Sequence, residues 1–166
     1  MPQIEREPPK EWQRRIDTVS PAMEEVVMMA NTNSGLGAMQ SILLVALGGA
    51  LGSVARYSLS GFILHRTIEW RFPLGTFAVN VVGCFVIGIL AGLAVKEDFL
   101  SADLRVFLFT GILGGFTTFS AFGLETFYLL RRGEIAVAGS YVTLSILVGL
   151  LVVWLGFSLI PHESSL

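Results

Sequence analysis

The stretch GGFTTFSAF, residues 114–122, carries residue types that can bind ions. Adjacent glycines and threonines are poor material for a helix interior, because Gly alone costs about 1 kcal/mol relative to Ala. A helix interrupted at GGFTT frees backbone carbonyl oxygens, and such oxygens are good cation ligands. Phe119 and Phe122 follow, three positions apart on one helix face. Phenyl rings have a positive edge that favours a small anion, although core packing explains most such pairs.

Five further polar side chains lie inside apolar stretches of the sequence: Arg56, Asn80, Glu125, Tyr141 and Ser145. Arg56 fits two roles, pairing with a carboxylate or the membrane interface, or drawing anions into a vestibule. Glu125 can reach water near a helix end, relay protons or position a pore-lining group. Asn80 can join two helices by hydrogen bonds or donate its amide to a ligand. Tyr141 and Ser145 stand four apart on one helix face.

The composition places these residues in a membrane protein. The 166 residues are 53% hydrophobic and only 14% charged, against about 25% charged in an average soluble domain. Ten of the charged residues lie in the first 36 positions, so the rest of the chain is poorer still. A net charge of −2 does not indicate a nucleic-acid partner. The single cysteine, Cys84, is typical of a small core residue.

Four segments are long and apolar enough to cross a bilayer, which takes about 20 residues. They cover residues 41–64, 74–95, 104–130 and 135–160, and the loops between them are short and charged. Short loops make neighbouring spans antiparallel, which predicts an all-α bundle of four transmembrane helices with the third interrupted at GGFTT. Glycines spaced four apart, Gly48 with Gly52, Gly88 with Gly92 and Gly111 with Gly115, predict close helix contacts. Four short helices enclose little volume, so we expect an oligomer.

Two features of the sequence bear on topology. Residues 1–36 are polar and rich in mixed charge, and we expect a flexible extension followed by a membrane domain over 37–166. Basic residues near span ends normally set orientation, but here they nearly balance. One side has four arginines in its loops, and the other has Lys96, Arg105 and the distant Arg14 and Arg15 of the extension. The near-balance indicates either a weakly determined orientation or dual topology, in which the chain inserts both ways.

The sequence resembles the Fluc (CrcB-type) fluoride channels. GGALGSVARY, PLGTFAVNVVGCFVIG and GILGGFTTFSAFGLET carry the resemblance, which runs from about residue 42 to residue 158 in the family's order. It implies an antiparallel, dual-topology homodimer in the plasma membrane (the bacterial inner membrane) that conducts fluoride passively. The backbone carbonyls of Gly114 and Thr117 would hold a structural Na⁺ at the dimer centre. Phe119 and Phe122 would present their ring edges to fluoride.

The resemblance also implies roles for the other polar residues. Asn80 would donate its amide to the passing anion, and Ser120, between the two rings, belongs to the same fluoride path. Tyr141 and Ser145 would form a polar track on the fourth span. Glu125 would lie near the outer end of the path, and Arg56 near an aqueous vestibule.

The sequence departs from the family pattern at Ala121, where a hydroxyl residue is common, and at Gly149, which leaves the polar track without a third hydroxyl. No P-loop or nucleophile triad occurs, and both histidines lie outside the spans, so we expect no enzyme activity. One rival interpretation is a proton-coupled exporter of cationic drugs centred on Glu125. That interpretation leaves the interrupted helix and the phenylalanine pair unexplained. A second rival is a membrane subunit without transport activity.

Overall fold

The computed structural model describes residues 35–95 and 100–161, with side chains from residue 37 onward. The chain divides into two compact units, residues 1–40 and 41–166, and only the start of the first helix is described in the former. Of the predicted flexible extension, residues 1–36, only the last two residues are described, and Lys96 lies outside the described residues. The helices are α1 Gly35–Arg66, α2 Leu74–Val95, α3 Ala102–Arg105, a π-helix Val106–Leu113, α4 Gly114–Phe116, α5 Phe119–Arg131 and α6 Ile135–Ser158.

The prediction of an all-α protein with four membrane spans is confirmed. In the part of the chain that the structure describes, four helical stretches are long and apolar enough to cross a membrane. The third of them is Ala102–Arg131, hereafter the third span. The second span has the predicted bounds, whereas α1 begins six residues before the predicted position 41. These elements describe a multi-pass membrane protein.

Glycines bring α1 into backbone contact with the third span. A Cβ built on Gly48 would lie 2.9 Å from the Cα of Gly111, and one on Gly115 would lie 2.5 Å from the carbonyl oxygen of Gly49. A Cβ on Gly52 would overlap the carbonyl oxygen of Ile112. The predicted close contact of these small residues is therefore confirmed, and it brings α1 directly against the stretch GGFTTFSAF, residues 114–122.

A second glycine contact joins α2 to α6. A Cβ on Gly88 would overlap the carbonyl oxygen of Val153, and one on Gly156 would overlap that of Phe85. Gly92 lies against Phe157 in the same way, with 3.1 Å from a built Cβ to the carbonyl oxygen. In lipid, where apolar burial provides little drive for helix association, such close backbone packing holds the bundle together.

The third span is not one regular helix, and its extended residues lie within GGFTT, the stretch where an interruption was expected. Gly114 and Gly115 are helical, and Gly114 has φ −61° and ψ −38°. The extended residues are instead Thr117, with φ −80° and ψ 158°, and Thr118, with φ −151° and ψ 113°. Within GGFTT the backbone is therefore extended at the two threonines, and the two glycines remain helical. Gly115 is needed for the contact with Gly49, whereas the β-branched threonines readily adopt extended backbone.

The turn between α5 and α6 closes the bundle at the end of the third span. Gly133 adopts φ 75°, a left-handed conformation that glycine tolerates best. Its N–H donates to the carbonyl of Leu130 at 3.0 Å, and the N–H of Glu134 donates to that of Leu129 at 2.9 Å. This pair of bonds is a Schellman motif. It places the start of α6 so that Tyr141 packs against the third span.

Candidate functional site

The site is built around the two extended residues of the third span, Thr117 and Thr118. Their conformation removes regular helical hydrogen bonds at this point, and local side chains replace some of them. The hydroxyl of Thr118 accepts from the N–H of Ala121 at 3.2 Å and so caps α5. The hydroxyl of Thr117 donates to the carbonyl of Leu113 at 2.9 Å. The helix α4 therefore ends at Phe116, and the helix α5 begins at Phe119.

Asn80, on α2, binds the backbone of Thr118 through both ends of its amide. Its Nδ2 donates to the Thr118 carbonyl at 3.1 Å, and its Oδ1 accepts from the Thr118 N–H at 2.9 Å. The two bonds go to two successive peptide groups, one on each side of the Thr118 Cα, and together they fix the backbone orientation at Thr118. One Nδ2 hydrogen remains for another acceptor, because an asparagine amide has two.

Arg56 and Ser53, on α1, both bind the carbonyl oxygen of Gly115. The Arg56 Nε donates at 3.1 Å, and the Ser53 hydroxyl lies at 3.4 Å. Among the described residues, no carboxylate forms an ion pair with Arg56. The guanidinium also lines an open cavity of about 340 Å³, together with Ser60, Thr76 and other residues of α1, α2 and the third span. Arg56 is the one charged residue among the described residues that line this cavity.

Glu125 is held by hydroxyl groups from two other helices. Thr76, on α2, donates to its Oε1 at 2.7 Å, and Tyr141, on α6, donates to its Oε2 at 2.8 Å. The Tyr141 side chain is fully buried. Both carboxyl oxygens thus have partners inside the bundle, so Glu125 does not simply extend to water from the end of its helix. The O–H of Tyr141 is already donated to Glu125, which limits what else it can bind.

Aromatic rings lie next to this carboxylate in one continuous row. The rings of Phe119 and Phe122 have centroids 5.6 Å apart and are tilted by 41°, and Phe122 lies 5.1 Å from Tyr141. Phe72 meets Tyr141 edge to face at 5.2 Å. Phe122 packs against the core formed by Leu129, Ala138 and Tyr141, whereas Phe119 is 83% exposed on the single chain. Of the two predicted site rings, Phe122 is therefore packed inside the subunit, whereas Phe119 lies on its surface.

The remaining predicted site residues lie on the same elements. The Ser120 hydroxyl is exposed and lies 3.2 Å from that of Thr118. Ser145 is partly buried one turn beyond Tyr141 on α6. Gly149, one turn further, is buried, and a Cβ there would lie 3.6 Å from the Cys84 sulfur. The face that carries Tyr141 and Ser145 thus turns toward α2 at Gly149.

Comparison with known proteins identifies the family. Residues 43–157 match the family described as CrcB-like protein, Camphor Resistance (CrcB). The chain belongs to the CrcB-like family. The matched range covers most of the first and fourth spans, all of the second and third, and every residue of the site, and it leaves out the polar N-terminal extension.

Several curated CrcB-like relatives carry the name "Fluoride-specific ion channel FluC". One from Methylobacillus flagellatus is 62% identical over 122 residues, covering 74% of this chain and 95% of the relative. Another from Rhizobium etli is 48% identical over 121 residues, covering 73% and 96%. A third from Flavobacterium psychrophilum is 42% identical over 118 residues, covering 71% and 94%. The resemblance stated from the sequence is therefore confirmed.

In this CrcB-like chain, three groups of predicted residues come together. The first group is a continuous set of contacts among Phe119, Phe122, Tyr141 and Glu125. The second is Asn80, which binds the backbone of Thr118, next to Thr117. The third is Arg56, which binds the carbonyl of Gly115, next to Gly114. Ser145 makes no hydrogen bond to these residues in the described part of the chain.

Sequence reasoning missed three contributors to the site: Thr76, Ser53 and Thr118. Thr76 lies four positions before Asn80 and Ser53 three positions before Arg56, so each shares a helix face with a predicted residue. Thr118 precedes a helix start, where a hydroxyl residue is the preferred cap. These signals were present in the sequence, but each is common in membrane helices for reasons unrelated to a site.

Proposed function

We propose that this protein is a fluoride-selective channel through which fluoride leaves the cytoplasm passively, protecting the cell from fluoride. The observation that carries the proposal is the 62% identity, over 95% of its length, to a relative named "Fluoride-specific ion channel FluC". A potential of 100 mV, negative inside, favours the exit of a monovalent anion by about 2.3 kcal/mol. No chemical coupling is then required, and the protein is a channel rather than an enzyme.

The functional unit in this proposal is an antiparallel homodimer of dual topology in the bacterial inner membrane. The exposure of Phe119 supports it, because a ring that lies on a candidate ion path needs a second wall. The cavity beside Arg56 is likewise open on the single chain. The near-balance of basic residues at the two ends of the spans is compatible with insertion in both orientations.

The fluoride path in this proposal begins at the Arg56 cavity and passes the aromatic rings. Fluoride is small and strongly hydrated, so a selective pore must replace its water with closely placed donors. The second Nδ2 hydrogen of Asn80 and the hydroxyls of Ser120 and Ser145 are the candidate donors. The edges of Phe119 and Phe122 favour the anion without offering a competing charge.

Glu125 and Tyr141 would lie at the outer end of that path. Their mutual hydrogen bond means that Tyr141 can donate to fluoride only when Glu125 releases its hydroxyl. The carboxylate would therefore control when the tyrosine is available, with Thr76 holding its other oxygen.

A structural Na⁺ bound by the carbonyl oxygens of Gly114 and Thr117 completes the proposal. The residues present fit such an ion. Thr117 is extended, Gly114 is exposed, and a Cβ on Gly114 would meet only the Phe109 carbonyl, at 3.8 Å. The described residues contain no group of three or more His, Cys, Asp or Glu side chains arranged for a metal. Backbone carbonyls are suitable ligands for Na⁺ in interrupted membrane helices.

The test is ion efflux from liposomes that contain the purified full-length protein. Liposomes loaded with potassium fluoride or potassium chloride are made permeable to K⁺ by an ionophore, and electrodes record each anion outside. We expect rapid loss of fluoride and negligible loss of chloride. Protein-free liposomes serve as the control. A folded protein that released neither anion in Na⁺ buffer would contradict the proposal and favour the exporter centred on Glu125.

A further inference from the structure

The side chain of Asn80 does more in the structure than the role of anion donor requires. Its Oδ1 accepts from the Thr118 N–H at 2.9 Å, and its Nδ2 donates to the Thr118 carbonyl at 3.1 Å. Both bonds go to the residue that follows Thr117. They also join α2 to the point where the third span is not helical.

Peptide geometry links the first of these bonds to the carbonyl of Thr117. The N–H of Thr118 and the C=O of Thr117 belong to one planar peptide group, and in a trans peptide they point in opposite directions. The bond to Asn80 Oδ1 therefore fixes the direction of the Thr117 carbonyl, which points away from Asn80. An acceptor on the N–H also polarises the group and strengthens the carbonyl as a ligand.

We propose that Asn80 is a positioning residue that aims the Thr117 carbonyl at the bound Na⁺ through the peptide group between Thr117 and Thr118. The inference rests on the sodium part of the proposed function. The extended conformation of Thr117 and Thr118 leaves this peptide group outside any helical hydrogen-bond ladder. Rotation of the group would turn the carbonyl away from the ion, and Asn80 prevents that rotation.

The two ends of the Asn80 amide then serve different ions. The acceptor oxygen acts on the cation through Thr117, and the Nδ2 group holds the Thr118 carbonyl and has one hydrogen left for fluoride. Substitutions can separate the two effects. Asn80→Leu has a similar shape and removes both ends. Asn80→Asp retains an oxygen acceptor for the Thr118 N–H and removes the amide donors.

The experiment measures the thermal unfolding midpoint of the purified full-length protein against Na⁺ concentration, in fluoride-free buffer. A large organic cation keeps the ionic strength constant. An ion that binds only the folded protein raises the midpoint with concentration, so the curve gives a half-saturating Na⁺ concentration. We expect Asn80→Leu to raise that concentration about tenfold, the effect of losing one well-placed hydrogen bond. Asn80→Asp should remain close to the unsubstituted protein.

A lower midpoint at every Na⁺ concentration, with unchanged half-saturation in Asn80→Leu, would show a merely structural role and overturn the inference. A loss of Na⁺ affinity in Asn80→Asp equal to that in Asn80→Leu would overturn it too. If Asn80→Leu does not fold, Asn80→Ala carries the same expectation. Fluoride efflux is recorded separately. An unsubstituted protein that conducts fluoride but gains no stability from Na⁺ would reject this inference and leave the fluoride function standing.

Discussion

Glu125 is the residue whose surroundings separate the channel from the exporter. Both of its oxygens accept hydroxyl hydrogen bonds, from Thr76 and Tyr141. An exporter coupled to protons needs this carboxylate to bind and release a proton in every cycle, whereas a channel needs it only to hold the hydroxyls. Removing the charge of Glu125 should therefore stop a proton-coupled exporter, whereas it should only slow a channel.

Glu125→Gln should reduce fluoride efflux but leave it measurable. Glutamine retains one oxygen acceptor and loses the other, so one of the two hydroxyls keeps its partner. The lost bond to a charged group is worth about 1.5–3 kcal/mol, and we expect efflux to fall by no more than about a hundredfold. Efflux from liposomes measures the change, and Glu134→Gln, in the turn before α6, is the matched control. Complete loss of fluoride efflux in a folded variant would contradict this expectation and show that the charge of Glu125 is itself required.

Phe119 offers the second test at the residue scale. Its ring is 83% exposed on the single chain, so Phe119→Ile should leave the fold of the subunit intact. We expect fluoride efflux to fall about two- to tenfold, because an aromatic pair such as Phe119 with Phe122 contributes about 0.5–1.5 kcal/mol that an aliphatic side chain lacks. Phe127→Ile replaces another exposed phenylalanine of α5 and is the matched control. Equal efflux from the two variants would remove Phe119 from the path.

The site residues show what a sequence can and cannot predict at this scale. Phe119, Phe122, Glu125 and Asn80 were predicted because aromatic pairs and polar groups are conspicuous among apolar residues. Thr76 was not, because one threonine in an apolar helix usually binds its own backbone. Only the packing of α2 against the third span gives its hydroxyl a carboxylate partner.

At the scale of elements, the glycines that face other helices were predicted to pack closely, and they do. The stretch GGFTT was predicted to be irregular, but which of its residues are extended was not. A glycine is equally suited to close packing and to interrupting a helix, and the choice depends on which backbone lies opposite. For Gly115 that is Gly49 of α1, a relation between elements 66 positions apart. The π-helix Val106–Leu113 likewise has no local sequence signal.

Gly52→Ala should destabilise the protein through the contact of α1 with the third span. The added Cβ would overlap the carbonyl of Ile112 and approach the backbone nitrogen of Phe116 at 2.8 Å. Backbone atoms cannot move aside as a side chain can, so we expect a loss of about 1–3 kcal/mol in the free energy of unfolding. Chemical denaturation in detergent measures it. Gly139→Ala, where a Cβ would meet nothing within 4 Å, is the control. It should be neutral or stabilising.

A stability loss in Gly139→Ala equal to that in Gly52→Ala would contradict this account. It would show that replacing any glycine of these helices destabilises the protein, whether or not the added Cβ meets another backbone. A loss confined to Gly52→Ala would show that the backbone contact is required. The same contact positions Gly115, whose carbonyl binds Arg56 and Ser53. Fluoride efflux should therefore fall together with stability in this variant.

At the scale of the whole molecule, basic residues bear on how copies of the chain assemble. Arg66, Arg71, Arg131 and Arg132 lie at the loop ends of the bundle, all exposed. Arg71 lies 4.0 Å from Glu134, which joins the loop before α2 to the turn before α6. The opposite end has Arg105, whose guanidinium donates to the carbonyls of Leu100 and Ala94. In the sequence, Lys96 directly follows the last residue of α2. The two ends thus differ by only two basic residues in their loops, four against two, and substitution can reverse this difference.

Replacing Arg66, Arg71, Arg131 and Arg132 by Gln should therefore fix the chain in one orientation, with the loop between the second and third spans in the cytoplasm. If the working unit is antiparallel, a population of one orientation cannot form it, and fluoride efflux should be lost although the chain inserts. Lys96→Gln biases the chain the other way and should lose efflux for the same reason. Coexpression of the two variants should restore efflux, because each supplies the orientation that the other lacks. Efflux from either variant alone, with a tag at one terminus accessible from one side only, would contradict dual topology and require a parallel assembly.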